Sequence, residues 1–252
     1  HIVPAVFIIL VYILSTKSGL ANYYYKAQFG NEGSGNGQFS YPRHITKDSS
    51  GDVYVVDSSN NRVQKFNSSG TYVSQFGTAG SGDGQMFGPD GIAIDSLNNL
   101  YVADTLNYRI QKFDSSGNYV SQFGTHGTST GQFEAPSDVT VDGSGNIYVL
   151  DSQLNRVQKF DSGGSYLLQF GSQGNGDGQF NFPFGIKYNS NKIYVADTNN
   201  NRVQVFDTDG VYVTQFGSYG EDPGYFINPV DMAFSSLDGS VYVVDSGMSR
   251  VQ

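Results

Sequence analysis

The stretch Tyr-Val-x-Asp-x4-Arg-[Val/Ile]-Gln recurs five times, at Tyr54–Gln64, Tyr101–Gln111, Tyr148–Gln158, Tyr194–Gln204 and Tyr242–Gln252. The starting tyrosines are 47, 47, 46 and 48 residues apart. A second marker, Gln-Phe-Gly, keeps step at Gln28–Gly30, Gln75–Gly77, Gln122–Gly124, Gln169–Gly171 and Gln215–Gly217. A unit of this length cannot bury an apolar face alone and has to stack on copies of itself. The chain is therefore an array of similar modules, and the positions at which the modules differ are where function is to be sought.

One repeat, Pro89 to Gly124, shows what the module is. Gly91–Asp95 alternates and meets the turn Ser96–Asn99; Leu100–Ala103 is β-rich and stops at Asp104–Asn107. Arg109–Phe113 alternates again up to Asp114–Gly117, and Asn118–Phe123 is a fourth strand ended by Gly124. Four short strands joined by polar turns predict an antiparallel meander. A dozen Gly-rich residues, such as Thr125–Glu134, then cross to the next copy. Packing such sheets radially about an axis buries both faces of each, so the expected fold is an all-β propeller of four-stranded blades.

The strand near Tyr23–Phe29, four complete repeats and three strands of the last one give twenty strands, or five blade equivalents. That number fits five blades in which the N-terminal strand completes the last, and equally a six-bladed ring of which a portion lies beyond Gln252.

Ile2–Leu14 carries no charged or strongly polar side chain and leads to Gly19-Leu20-Ala21. An apolar run followed by small residues reads as a secretory signal peptide cleaved after Ala21. Because the chain opens on His rather than Met, a longer membrane anchor is the alternative. Residues 1–21 are thus assigned to a leader or anchor, residues 22–252 to the propeller, and an extracytoplasmic location is expected.

The formal net charge is −9. An acidic chain gains nothing from counterion release on a phosphate backbone, which argues against nucleic acid as a partner. The absence of cysteine removes disulfides, thiolate metal sites and thiol nucleophiles together.

The string Pro-x-Gly-Ile-x-[Ile/Val]-Asp, then Tyr-Val-x-Asp-x4-Arg-[Val/Ile]-Gln-x-Phe-Asp, then Tyr-Val-x-Gln-Phe-Gly, with crossovers such as Gly174–Phe180, resembles the NHL-repeat family from about Tyr23 to Gln252. The resemblance implies a β-propeller, mostly six-bladed in that family, and a binding role in most members, with a few lyases. A shared fold does not by itself transfer an activity.

Five Asp–Arg pairs (Asp57/Arg62, Asp104/Arg109, Asp151/Arg156, Asp197/Arg202, Asp245/Arg250) recur at one spacing. Identical use in every blade assigns them to architecture rather than to an anion-binding ring. Gly33–Gly37 lacks the Lys-[Ser/Thr] of a P-loop. Gly82-Asp83-Gly84 and Gly176-Asp177-Gly178 offer one carboxylate each, against the six to eight oxygens calcium takes. Histidine occurs only at 1, 44 and 126; only His44 lies near the start of an inner strand and His126 falls in a crossover, so the three protein ligands of catalytic zinc are poorly supplied. No metal, cofactor or catalytic residue is assigned.

The blades differ just after the proline that opens each inner strand: Arg43-His44, Asp90-Gly91, Ser137-Asp138, Phe184-Gly185 and Val230-Asp231. In a propeller these positions face the mouth of the central channel. Arg43, His44, Asp90, Asp138, Phe184 and Asp231 are the candidate ligand-binding residues, with Lys47 and Lys187 deeper along the same strands. Aromatic residues on or near crossovers (Tyr23-Tyr24-Tyr25, Tyr41, Phe87, Phe182, Tyr219, Tyr225-Phe226) form a second candidate surface, several of them expected to pack between blades. The expected function is a non-catalytic module binding a protein, peptide or glycan at one face. The alternatives are a channel-mouth lyase and a purely structural cell-surface module.

Overall fold

The computed structural model describes residues 9–10 and 27–252. Pro42–Lys47, Val53–Asp57, Arg62–Phe66 and Tyr72–Phe76 form the first blade. The second contains Ile92–Ile94, Leu100–Asp104, Arg109–Phe113 and Tyr119–Phe123. Pro136–Val141, Ile147–Asp151, Arg156–Phe160 and Tyr166–Phe170 form the third. The fourth contains Gly185–Asn189, Lys192–Asp197, Arg202–Asp207 and Tyr212–Phe216. The fifth has three strands, Pro229–Phe234, Val241–Asp245 and Arg250–Val251. Within each sheet chain order is spatial order and pairing is antiparallel. The first strand of each blade packs on the first strand of the next, which makes it the inner strand of a propeller.

The recurrent polar residues hold this frame together. Asp57 and Arg62 face each other across the turn between second and third strands, as do the corresponding residues of the other four blades. The turn is a single 3-10 turn ended by Asn61 in the left-handed region (φ 54°), a conformation asparagine tolerates. Arg62 Nε donates to the buried Asp57 carboxylate at 2.7 Å. Its Nη1 donates to Gln75 Oε1 at 2.8 Å, and Nη2 to the carbonyls of Gly35 and Gln38. The arginine therefore joins its own hairpin to the preceding crossover and to the glutamine of Gln-Phe-Gly, which is why the two sequence markers travel together. Arg109 and Arg202 repeat the pattern. With their donors consumed, these side chains form no anion-binding ring.

The glycine of the marker is required twice over. Gly124 has φ 99°, and a Cβ there would lie 2.5 Å from the ring of Phe133 in the next crossover, closer than any side chain can approach.

The core is a series of layers between blades. Tyr54, Val56 and Val63 of the first blade cluster with Ile92, Leu100, Val102 and Phe113 of the second, and equivalent clusters join the second to the third, third to fourth and fourth to fifth. Phe76, Phe123 and Phe170 lie with ring centroids 4.6–4.8 Å from Phe113, Phe160 and Phe206 of the following blade. Ile45 of the first blade and Val244 of the fifth are exposed where their equivalents, such as Ile186 and Val56, are buried. These are the faces on which no neighbouring blade lies among the described residues.

The N-terminal strand does not complete the fifth blade. Ala27–Gln28 pairs with Ile9–Leu10 instead, and the fifth sheet remains three-stranded. Most of the leader assigned to residues 1–21, and Tyr23–Tyr25, lie outside the described residues. Among the described residues no helix is long and apolar enough to cross a membrane.

Candidate binding site at the channel mouth

Proline opens the inner strand of the first, third and fifth blades (Pro42, Pro136, Pro229) and precedes it in the second and fourth. Lacking an N–H, it suits the first position of a strand, where a ladder donor is not needed. Two residues later the blades alternate between a side chain and none: His44, Gly91, Asp138, Gly185, Asp231. At Gly91 a Cβ would come within 3.0 Å of Asp138 Cα, Asp138 Oδ1 and the Ser137 carbonyl; at Gly185 it would collide with the Val230 carbonyl. The two glycines let the inner strands of the second and fourth blades close onto the third and fifth, seating the aspartates of those blades between them.

The result is a chain of charges with one member from each blade. Asp138, fully buried, accepts Val139 N–H and Ile186 N–H, both at 2.9 Å, and the Lys187 ammonium at 2.8 Å. Lys187 Nζ also lies 2.9 Å from Asp231 Oδ1, and that oxygen accepts Met232 N–H. His44 is buried with Nδ1 3.2 Å from Asp90 Oδ1 and Nε2 3.6 Å from Asp138 Oδ2. Burial alone would push the imidazole pKa down, but the carboxylates of Asp138, Asp90 and Asp231 outweigh it and raise it from 6.5 to about 9. Both ring nitrogens face carboxylates, as a doubly protonated imidazolium requires. For Asp231, burial opposes ionisation, yet Lys187 and His44 hold its carboxyl below the usual aspartate range.

Phe184 stacks on His44 with centroids 6.1 Å apart. Arg43 is more exposed, its Nε 3.9 Å from Asp90 and its Cζ 4.4 Å from the Tyr41 ring centre and 5.6 Å from that of Phe184. All six residues singled out in the sequence are thus brought together, linked through Lys187 and their own contacts. Lys187 is a central member rather than a deeper one; the signal was present, since Thr46, Ala93, Thr140 and Ala233 fill its place elsewhere. Lys47, by contrast, is exposed at the last position of its strand.

The crossover aromatics are mostly unpacked. Tyr41, Phe87 and Phe182 are 50–54% exposed, Tyr219 and Tyr225 are also exposed, and of the described members only Phe226 is buried. The expectation that several would pack between blades fails because the third-strand and Gln-Phe-Gly phenylalanines already fill those layers. Tyr41 and Phe182 occupy the place held by Gly88 and Asn228 in other blades, and all four have φ between 47° and 56°. Glycine and asparagine tolerate that conformation, whereas a bulky ring there is strained.

His44, Asp138 and Asp231 bring potential metal-donor atoms within 4.8 Å of one another, the one such group among the described residues. A cation already bridges the two carboxylates, namely the Lys187 ammonium. An imidazole held protonated between carboxylates has no lone pair to offer. The donor set does not fit a metal.

A family model described as a 6-bladed beta-propeller matches residues 92–171 and 179–251, and one for the NHL repeat matches residues 39–66. A streptogramin B lyase structure superposes with TM-score 0.64 at 16% identity, over 97% of this chain and 68% of that one. An auxiliary nutrient binding protein from Bacteroides ovatus superposes with TM-score 0.64 at 16% identity, over 87% of this chain and 59% of that one. At these identities the likeness is one of fold. In sequence, 45 residues are 49% identical to protein lin-41 of Caenorhabditis elegans, a match spanning 18% of this chain and 4% of that protein.

Proposed function

This chain belongs to the six-bladed β-propeller family built on the NHL repeat, and from that premise we propose that it is a non-catalytic binding module. It takes a protein, peptide or glycan ligand at the channel-mouth face. The observation that carries this reading is the convergence there of the residues that break blade symmetry, beside exposed rings held in a strained conformation. Strain of about 1–3 kcal/mol per residue persists only where surrounding structure enforces it, and it concentrates at sites of function. In the same reading the apolar N-terminal segment serves as leader or anchor and the propeller is displayed outside the cytoplasm. The support for that part is the sequence of residues 1–21.

A lyase is the second reading, favoured by the grouping of His44, Asp138 and Asp231. It is the weaker one. General acid–base chemistry needs a group whose pKa lies near the working pH and which reaches the substrate. His44 is buried, paired on both nitrogens and titrates near 9.

Phe182→Asn, which installs the residue standing at 228, tests the first reading. The variant relieves the backbone at φ 47°, so it should fold at least as stably as wild type while losing capture of the ligands found on peptide and glycan arrays. Undiminished capture by Phe182→Asn combined with Tyr41→Asn would remove the mouth from consideration.

A further inference from the structure

The six arginines divide into five and one. Arg62, Arg109, Arg156, Arg202 and Arg250 each donate to carbonyls of the preceding crossover. Arg43 donates no hydrogen bond within the described residues: a 3.9 Å approach to Asp90 and the rings of Tyr41 and Phe184 are its interactions. Its side chain is 34% exposed, and it lies between Asp90 of the second blade and Phe184 of the fourth. The acids around it are already engaged, Asp90 by His44 and both Asp138 and Asp231 by Lys187. A guanidinium flanked by rings loses little freedom on binding, and its fork of N–H donors matches a carboxylate two for two.

We propose that Arg43 recognises a carboxylate, and that the mouth takes an acidic peptide segment. An Asp or Glu side chain sits on Arg43, and neighbouring apolar side chains rest on the exposed rings of Tyr41 and Phe182. This rests on the reading of the mouth as the binding face. A peptide fits better than a glycan because sugar hydroxyls need a set of unengaged donors and acceptors, whereas His44 and Asp138 are buried and bonded to their neighbours. What the rim offers freely is one planar cation and apolar ring area, the combination enriched at protein-binding hot spots.

The test is selection of a displayed random decapeptide library on the whole chain, followed by affinity measurements with synthetic peptides. The expected outcome is enrichment of peptides with an Asp or Glu next to apolar residues. Changing that acid to its amide, or Arg43→Gln in the protein, should weaken binding at least roughly tenfold. The two changes together should cost no more than either alone, and Arg43→Lys should recover part of the loss. Arg43 makes no framework hydrogen bond, so the circular dichroism melt of Arg43→Gln should match that of wild type. Enriched peptides that lose binding in Phe182→Asn yet show no preference for an acid would overturn the Arg43 assignment and leave the mouth reading standing. Peptides whose binding ignores both Phe182→Asn and Arg43→Gln would overturn both. No enriched peptide, with an anionic oligosaccharide captured instead, would overturn the peptide assignment.

Discussion

Replacing His44 by Gln should flatten the alkaline limb of the stability profile. In the folded protein the imidazole lies between Asp90 and Asp138, with Asp231, Lys187 and Arg43 the other charged groups facing it. Its pKa rises from 6.5 to about 9 on folding. At about 1.4 kcal/mol for each tenfold change in proton affinity, the charged form is favoured in the folded state by roughly 3 kcal/mol. Because the folded value is the higher one, that contribution is fully present below the unfolded value of 6.5 and is lost as pH rises through about 9. Wild type should therefore lose roughly 3 kcal/mol between pH 6 and pH 9.5, measured by urea unfolding followed by far-ultraviolet circular dichroism. His44→Gln should be less stable at pH 6, and its curve should meet that of wild type near pH 9.5. Lys187 is raised well above that range by Asp138 and Asp231, which overcome its burial, and so keeps its proton throughout. Parallel profiles for the two proteins, or an imidazole that titrates near 6.5 by nuclear magnetic resonance, would refute the charge chain as described.

Two further outcomes follow from the packing. Gly91→Ala should destabilise by about 2–3 kcal/mol through overpacking against Asp138, whereas Gly131→Ala, with open space around it and φ 75°, should cost only about 1 kcal/mol from the backbone; equal thermal melts for the two would contradict the close approach of the inner strands. Arg109→Ala strands the buried Asp104 carboxylate and should cost about 3–5 kcal/mol, clearly more than Arg156→Ala, whose Nε has no partner to lose; matching losses in urea denaturation would deny the difference between the blades.

What could be read from the sequence was whatever repeats. Period, strand alternation and turn residues specified the blades because each copy independently states the same local preference, and five agreeing statements leave little room for another fold. That these particular residues lie together was legible for the complementary reason. Once the frame is known, Arg43, His44, Asp90, Asp138, Phe184 and Asp231 stand out as residues the frame does not demand. The pairing was not legible. That His44 contacts Asp90 and Asp138, and that Lys187 bridges Asp138 and Asp231, depends on how closely the inner strands approach. Gly91 and Gly185 set that distance, and their role appears only when a Cβ is placed on them. The exposure of Tyr41 and Phe182 was equally hidden, since composition does not distinguish a ring packed between blades from one held outward by a left-handed backbone.

Departure from the repeat is not by itself a sign of function, and the junction of the second and third blades shows why. Asn61, Asn155 and Asn201 each accept, through Oδ1, the N–H of a residue in the next crossover: Gly88, Phe182 and Asn228. The second blade has Tyr108 in that place, which has no amide oxygen to offer. Asp151 takes over, accepting Glu134 and Ala135 N–H at 3.0 Å each. Elsewhere an asparagine (60, 107 or 200) donates to the aspartate three residues before it; here Leu154 contributes its backbone N–H. The carboxylate is drawn away from Arg156, whose Nε is left buried without a partner, and desolvation pushes the Asp151 pKa up. The Tyr108 ring meanwhile packs at a tilt on His126, centroids 4.2 Å apart, and His126 Nε2 lies 3.2 Å from Glu134 Oε2. Five scattered substitutions, at 108, 126, 134, 135 and 154, are one rearrangement absorbed almost entirely within the frame. The mouth differs in kind. His44, Lys187 and Arg43 match the three aspartates in charge, but Arg43 approaches Asp90 only to 3.9 Å and donates no hydrogen bond to it, and the rings of Tyr41 and Phe182 stay half exposed on a strained backbone. An asymmetry that its neighbours absorb is structural; the mouth instead keeps the Arg43 guanidinium and the rings of Tyr41 and Phe182 partly exposed, and that difference is what the proposed peptide site rests on.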